Sequence, residues 1–355
     1  MRITFILPGY LSYPSGGYKV VYEYANHLCA RGHQVTLVHP RKLAPAADLA
    51  QWAKAHLWPY RLKWRDGQLI PWFQLNDEAT VSLVPDLREQ FIPPGDAIIA
   101  TAFRTAFCVA GYEADKGRKY YLIQHHEIWD GDEAEVNQSW VLPLHKIVIA
   151  KWLLQLAHDF GEMERVTYIP NGLDFSHFRI TTPIAGRLRL RVGMMAHSFA
   201  WKGTADGIAA LNIVKEKFPE LQAVCFGVHP QPSEMPAWME YRQQPTATAL
   251  QSLYNSCAIF LHPSWTEGWG LPAAEAMACG CALVATHNRG VAEFATDGEN
   301  ALLTPPRQPE ALAQSLLRFI EDDILRQQLA AAGRASVQQF TWEKAVSALE
   351  KVLVA

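Results

Sequence analysis

The sequence has no excess of charge of either sign and no long apolar segment. Its 355 residues contain 32 Lys and Arg against 35 Asp and Glu, a formal net charge of −3. Such a chain has no overall electrostatic attraction for nucleic acid or anionic lipid. No apolar run approaches the roughly 20 residues that cross a bilayer, and the apolar start at residues 3–7 is too short for a signal peptide. We therefore expect a cytoplasmic protein.

Paired cysteine spacings are also lacking among the six cysteines. Cys279 and Cys281 are separated by Gly280 alone, which is too close for a zinc knuckle. Most of the cysteines lie in apolar runs, where a free thiol behaves as a small hydrophobic side chain. This distribution indicates a reducing compartment and offers no metal site.

What the sequence does have is a regular alternation of short apolar runs with stretches of helical periodicity. Strands are predicted at residues 3–7, 35–38, 97–100, 120–123, 147–149, 166–169, 190–195, 221–226, 258–261 and 281–285. Helices are predicted between many of them, and the chain closes with helices near 309–320, 323–339 and 342–354. This alternation is typical of parallel sheets covered on both faces. The length exceeds what one core usually supports. We expect an α/β protein of two doubly wound, Rossmann-like domains facing across a cleft.

The most informative segment runs from residue 262 to residue 280. It follows an apolar strand and reads HPSWTEGWGLPAAEAMACG. Gly268 and Gly270 allow a close backbone approach or a positive φ, and Pro272 suits the first turn of a helix. A glycine-rich turn that opens a helix presents free amides and the positive end of the helix dipole to an anion such as a diphosphate. Glu267 and Glu275 could accept hydrogen bonds from sugar and ribose hydroxyls.

This segment resembles the signature of the family 4 retaining glycosyltransferases. In that signature seven residues lie between two glutamates, and the first glutamate opens an EG-aromatic-GLP turn. The resemblance extends to the glycine loop at residues 14–17, the segment RGHQVTL at residues 31–37, IPNGLD at 169–174, Trp201-Lys202-Gly203, and Phe340-Thr341-Trp342 before the last helix.

Several expectations are implied by that resemblance. They are the GT-B fold, a nucleoside-diphosphate sugar donor, a glycan or lipid-linked acceptor, no bound metal or cofactor, and retention at the anomeric carbon. The implied domains are residues 1–170 on the acceptor side, 171–339 for the donor, and a helix at 340–355 that returns to the first domain. The expected catalytic residues are His125 and Glu267, and the expected donor-binding residues are Gly17, Lys202, Gly268, Gly270, Leu271 and Glu275. We add His197 to the donor-binding residues from its own place in this sequence, where it departs from the family pattern.

One position departs from the family pattern. The family carries an arginine about six residues before the lysine that corresponds to Lys202, but Ala196 occupies the counted position here and His197 follows it. Either His197 substitutes in part for the arginine or the phosphate is held less strongly. On the first domain, His125 is in register with the family histidine, His126 is the fallback, and Glu127 is expected to orient one of the two imidazoles.

Two other segments allow competing readings. Asp130-Gly131-Asp132 matches the DxD pattern by which the other glycosyltransferase fold, GT-A, binds a divalent ion, although three-residue matches are common by chance. We interpret it as an acidic loop. The run WPYRLKWR at residues 58–65 suits a packed loop or a peripheral contact at the inner face of the membrane.

Functions of other classes remain open on the residues alone. A glycoside hydrolase could use Glu267 and Glu275 as a carboxylate pair. A dinucleotide oxidoreductase is disfavoured, because the opening loop lacks G-x-G-x-x-G. A two-lobed protein that binds without catalysis is the last alternative, since fold alone does not establish activity.

Overall fold

The computed structural model describes residues 1–43 and 69–354. It divides into two compact units, Met1–Asn171 with Trp342–Ala355, and Gly172–Thr341. We refer to them as the first and the second domain.

The first domain is built on a parallel sheet of seven described strands. They are β1 (Arg2–Ile6), β2 (Gln34–Pro40), β3 (Thr80–Val84), β4 (Ala97–Ala100), β5 (Arg118–Ile123), β6 (His145–Val148) and β7 (Val166–Tyr168). Their spatial order is β3-β2-β1-β4-β5-β6-β7. The described helices between them are α1 (Gly16–Ala30), α2 (Phe103–Gly111), α3 (Glu133–Trp140) and α4 (Lys151–Asp159). Continuous apolar strands such as β4, which is buried at every residue, form because helices cover both faces of such a sheet.

The second domain repeats this plan with six strands. They are β8 (Arg191–Met195), β9 (Gln222–Gly227), β10 (Glu240–Gln243), β11 (Ile259–His262), β12 (Ala282–Thr286) and β13 (Leu302–Thr304), ordered β10-β9-β8-β11-β12-β13. The helices are α5 (Thr204–Lys217), α6 (Ala247–Ser256), α7 (Leu271–Ala278), α8 (Pro309–Glu321) and α9 (Asp323–Val337). All strand pairs of this sheet are parallel.

The last helix, α10 (Trp342–Val354), belongs to the first domain although it follows the second in sequence. Its Trp342 ring meets Tyr24 of α1 edge to face, with 5.2 Å between the ring centroids. Glu350 accepts a charged hydrogen bond from Arg31 and lies 2.8 Å from Nε2 of His33. Burial alone would raise the pKa of Glu350, but its bonds to His33 and Arg31 outweigh burial and lower it. The terminal helix thus returns to the first domain, as expected.

In each sheet, two strands that are distant in sequence lie side by side. β1 pairs with β4 in the first domain, and β8 pairs with β11 in the second. Helices leave such strands toward opposite faces, so a crevice opens beyond their carboxyl ends, and ligands of doubly wound sheets bind there. The loops after β8 and β11 therefore define the place to look in the second domain. Of the helices within the described ranges, none is long and apolar enough to span a membrane.

Candidate functional site

The loops after β8 and β11 are joined directly through their backbones. Trp265 donates its N–H to the carbonyl of Trp201 at 2.7 Å. Gly203 has a φ of 65°, and a Cβ at this position would lie 2.1 Å from the carbonyl oxygen of Pro263. Only glycine fits both the left-handed backbone and this contact. The close approach holds Lys202, the residue before it, against the loop that carries Glu267.

Lys202 and Glu267 form an ion pair across these two loops. The Lys202 Nζ lies 2.8 Å from both carboxylate oxygens of Glu267. The Glu267 side chain is 8% exposed and the Lys202 side chain 20% exposed. A bidentate charged hydrogen bond in a partly desolvated setting is stronger than a surface pair. Lys202, predicted to bind the donor, and Glu267, predicted to be catalytic, are thus in direct contact.

A third group adjoins this pair. His262, the last residue of β11, is almost fully buried, and its Nε2 lies 3.5 Å from Oε1 of Glu267. Burial alone would raise the pKa of Glu267, but the Lys202 charge and His262 outweigh it and hold that pKa well below its usual range. Glu267 is therefore ionised at neutral pH.

The turn after Glu267 presents a restricted set of amides. Gly270 has a φ of 99° and is the N-cap of α7, and its carbonyl accepts the N–H groups of Ala273 and Ala274 at 3.1 and 3.2 Å. Pro272 has no N–H. The amide at the start of α7 that can face a ligand is consequently that of Leu271, which is partly exposed, whereas Gly268 and Gly270 are buried.

Gly290 closes the same turn from the β12 side. A Cβ there would lie 2.7 Å from the carbonyl oxygen of Glu267 and 2.8 Å from the Trp269 nitrogen. The side chain of Asn288 donates to the carbonyl of Ser264 and accepts from Val291 N–H. The Glu267 turn is held on both sides by backbone contacts.

Glu275 lies in the second turn of α7 and is 4% exposed. The hydroxyl of Tyr254 donates to its Oε2 at 3.3 Å. Burial, followed by the charge of Glu275, raises the pKa of Tyr254 well above its ordinary value, so the phenol remains a donor. The Glu275 carboxylate is thereby oriented by a neighbouring helix, α6.

His197 lies in the loop after β8, and its ring is neutral. Its Nδ1 accepts the N–H of Phe199 at 3.0 Å, which places the ring proton on Nε2. Burial, and then the charge of Lys202, lowers its pKa to about 4. At neutral pH His197 can therefore donate one hydrogen bond, but it does not supply the positive charge of the arginine that the family carries.

In the first domain, Gly17 is not part of a loop. It lies in the first turn of α1, and its carbonyl accepts a hydrogen bond from Gln124 Nε2 at 3.0 Å. A Cβ at Gly17 would lie 3.4 Å from that same amide. The glycine loop expected at residues 14–17 therefore ends earlier than predicted, because the helix begins at Gly16.

His125 follows β5 and is enclosed by aromatic rings. The centroids of Trp129 and Trp152 lie 4.4 and 5.4 Å from its own, both edge to face. Its Nδ1 lies 3.1 Å from the carbonyl oxygen of His126. The ring is therefore held in one orientation by packing.

The two residues after His125 have contacts that stabilise the fold. Nδ1 of His126 accepts the indole N–H of Trp140 at 3.2 Å. Glu127, which we expected to orient an imidazole, accepts the N–H of Phe103 at 2.8 Å at the start of α2. Burial raises the pKa of Glu127 to about 7.

The acidic tripeptide at residues 130–132 starts a helix. The Asp132 side chain accepts the N–H of Ala134 at 3.2 Å and caps α3. Asp130 Oδ2 lies 3.5 Å from an Arg104 nitrogen. Across residues 1–43 and 69–354, no group of three or more His, Cys, Asp or Glu is placed to hold a metal ion. The aromatic and basic run at residues 58–65 lies outside the described residues.

Sequence reasoning missed His262, Tyr254, Asn288 and Gly290. His262 had one available signal, since a polar residue ends an otherwise apolar strand. Gly290 had another, a glycine soon after β12. The partners of these residues are distant in sequence, and no local pattern identifies them.

The glycosyl transferases group 1 family model matches residues 189–336, which contain Lys202, Glu267 and Glu275. This part of the chain is similar to the group 1 glycosyltransferases. The chain is 24% identical to the phosphatidyl-myo-inositol mannosyltransferase of Mycobacterium tuberculosis over 99% of this chain and 96% of that protein. A shorter region of 106 residues, 30% of this chain and 27% of its relative, is 33% identical to O-antigen chain mannosyltransferase B of Escherichia coli.

The fold of this chain is similar to that of HepE from Anabaena, whose crystal structure is a complex with UDP and glucose. The TM-score is 0.75, the sequence identity is 18%, and the match covers all of both chains. The resemblance to group 1 and the expected GT-B fold of two Rossmann-like domains are confirmed.

Proposed function

We propose that this protein is a glycosyltransferase that moves a sugar from a nucleoside-diphosphate sugar to an acceptor hydroxyl, with retained configuration and without a metal ion. The observation that carries the proposal is the Lys202–Glu267 pair beside the start of α7, beyond the carboxyl ends of β8 and β11. A fixed cation, a helix start and a buried carboxylate are there within one domain. These groups match a diphosphate and the hydroxyls next to it.

Each of these groups is proposed to bind a different part of the donor. The Leu271 amide and Lys202 hold the diphosphate, and His197 adds an Nε2–H donor. Glu275, oriented by Tyr254, accepts hydrogen bonds from the ribose hydroxyls. Glu267 accepts from a hydroxyl of the transferred sugar. Gly17 and His125 of the first domain stay assigned to donor phosphate binding and to catalysis.

In the reaction, the bond between the anomeric carbon and the donor phosphate oxygen breaks, and the diphosphate keeps the electron pair. The acceptor oxygen forms the new bond on the same face of the sugar, and its proton passes to the leaving phosphate. Negative charge grows on the diphosphate, so the Lys202 ammonium stabilises the transition state more than the ground state. We assign no protein nucleophile.

The acceptor is proposed to be a glycan or a glycolipid. The two relatives described above are mannosyltransferases, one named for phosphatidyl-myo-inositol and the other for an O-antigen chain. A lipid-linked acceptor would bring a cytoplasmic enzyme to the inner face of the membrane as a peripheral protein. The transferred sugar is accordingly proposed to be a hexose.

Donor class is tested first by thermal shift with UDP, GDP and dTDP sugars. Turnover with the donor that stabilises the protein then gives a product whose anomeric configuration is read by NMR. We expect retention, and we expect activity to survive excess EDTA. Inverted product would contradict the stereochemical proposal, and loss of activity restored by Mn²⁺ would return attention to Asp130 and Asp132.

Two variants with matched controls connect the activity to the site. Lys202→Met and Glu267→Gln should each lower turnover by about a hundredfold or more, because an electrostatic contact in the transition state is lost. Lys217→Met and Glu321→Gln remove the partners of an exposed ion pair of the same domain. These controls should keep activity near that of the unaltered protein.

A further inference from the structure

Glu267 and a bound diphosphate would compete for the Lys202 ammonium. Two of the three N–H donors of Lys202 are aligned with Glu267, one to each oxygen at 2.8 Å. The paired charges cancel, so the pair offers little net attraction to a diphosphate. A diphosphate that takes the ammonium must weaken its bonds to Glu267 and lie close to an ionised carboxylate.

A sugar on the diphosphate changes this balance. Its hydroxyls donate to the carboxylate, so the bonds that Glu267 loses from Lys202 are replaced. A nucleoside diphosphate without the sugar offers no such donors, and it leaves the buried carboxylate short of partners, which is costly. The Lys202–Glu267 pair therefore favours binding of the nucleotide sugar and disfavours binding of the nucleoside diphosphate.

We propose that the Lys202–Glu267 pair is a specificity device that favours the nucleotide sugar over the nucleoside diphosphate left after transfer. This inference rests on the proposed function and deepens it. Glu267 weakens the binding of the nucleoside diphosphate because it holds the Lys202 ammonium that the diphosphate would otherwise bind. The carboxylate thereby promotes product release as well as sugar binding.

His262 is the positioning residue of this device. Its Nε2 lies near Oε1 of Glu267. Among the contacts described, Oε2 of Glu267 has Lys202 as its partner. When Lys202 turns to the diphosphate, His262 keeps Oε1 in place, and Oε2 is left for a sugar hydroxyl. His262 has the fixed location that this role needs, since it ends β11 and is 1% exposed.

The decisive measurement is the affinity for the nucleoside diphosphate by calorimetry, with UDP, GDP and dTDP as probes. Glu267→Gln should bind the preferred diphosphate more tightly than the unaltered protein, by about three- to thirtyfold, because Lys202 is released from a neutral amide more readily than from a carboxylate. The same variant should lose turnover with the nucleotide sugar. A carboxylate whose role was only to bind sugar would leave diphosphate affinity unchanged.

A double-mutant cycle separates this device from general charge repulsion. In the Lys202→Met background, Glu267→Gln should give a clearly smaller gain in diphosphate affinity, since only the relief of charge repulsion remains. A gain of the same size there would show that only repulsion acts, and it would overturn the inference. The Lys217→Met and Glu321→Gln cycle, on the exposed pair of the same domain, should show no coupling to the ligand.

The failure of this inference can be distinguished from that of the proposed function. If the unaltered protein binds none of the three diphosphates and none of their sugars, the proposed function is wrong. If it binds them and Glu267→Gln binds the diphosphate no better, only the device is wrong. Melting temperatures of every variant identify a loss that comes from unfolding.

His262 is tested by a split between turnover and diphosphate binding. His262→Leu should lower kcat by about ten- to a hundredfold and leave diphosphate affinity within about twofold, since its role is with Glu267. His262→Gln, which retains a side-chain N–H, should recover most of the turnover. The matched control is His177→Leu, at a histidine of the same domain that packs edge to face against Phe178. Equal turnover in His262→Leu and the control would contradict the positioning role.

Discussion

Gly203 and Pro263 are in contact through their backbones, and this contact joins the loop that bears Lys202 to the loop that bears Glu267. A methyl group at Gly203 would lie 2.1 Å from the Pro263 carbonyl oxygen. One of the two loops would have to move to admit it. Lys202 and Glu267 are 65 residues apart in sequence, and the geometry of their ion pair depends on the absence of a side chain at Gly203.

Replacement of that glycine is the first prediction. Gly203→Ala should lose about 1–3 kcal/mol of unfolding free energy from the left-handed backbone alone, and further stability from the contact with Pro263. Turnover should fall with it because Lys202 is displaced. Gly298→Ala is the control, since Gly298 has a φ of 72° but no atom within 4 Å of an added Cβ. Equal denaturation midpoints for the two variants would argue against the contact.

Glu275 gives the second prediction. Glu275→Gln should weaken nucleotide-sugar binding by about ten- to a hundredfold, because an amide cannot accept from two ribose hydroxyls as a carboxylate does. Tyr254→Phe, which removes only the orienting hydroxyl, should cause a smaller loss of the same kind. Calorimetry measures both. Normal donor affinity in Glu275→Gln would refute the ribose assignment.

The adjacent histidines of the first domain should behave differently, and this is the third prediction. His125→Ala should reduce kcat by about tenfold or more and affect donor affinity little. His126→Ala should instead reduce stability by about 1–3 kcal/mol, because the buried indole N–H of Trp140 loses its acceptor. Steady-state rates and urea denaturation of both variants distinguish the roles. A stable but inactive His126→Ala would reverse the assignment.

Glu127 gives a pH-dependent prediction. Burial raises its folded-state pKa to about 7, above the ordinary value of 4.5. Between these values the folded protein binds more protons than the unfolded chain, so the contribution of Glu127 to stability decreases as pH rises from about 4.5 to 7. The total change is up to about 3 kcal/mol.

Glu127→Gln should remove that dependence. The variant should gain stability relative to the unaltered protein between pH 5 and pH 7.5, because the amide stays neutral. Urea denaturation at both pH values measures the difference, with Glu133→Gln on the exposed start of α3 as the control. Parallel pH dependences for the two proteins would show that Glu127 keeps its ordinary titration.

Much of the architecture could be predicted from local periodicity. Apolar runs at residues 3–7, 190–195 and 258–261 correspond closely to β1, β8 and β11, since strands buried on both faces are continuously apolar. Strands β3, β10 and β13 were missed. They lie toward the edges of their sheets and are short or partly exposed, so their sequence patterns are weak.

The sequence by itself determined the alternation of strands and helices, the glycine turn before α7 and the spacing of Glu267 and Glu275, because these depend on residues within one or two elements. Only the tertiary structure decided that Lys202 pairs with Glu267, that His262 adjoins them, that His197 is neutral and that Glu127 caps α2. Those relationships arise from the pairing of β8 with β11 and from burial, which no local pattern encodes. The Lys202–Glu267 contact exists because two strands distant in sequence become neighbours in the sheet.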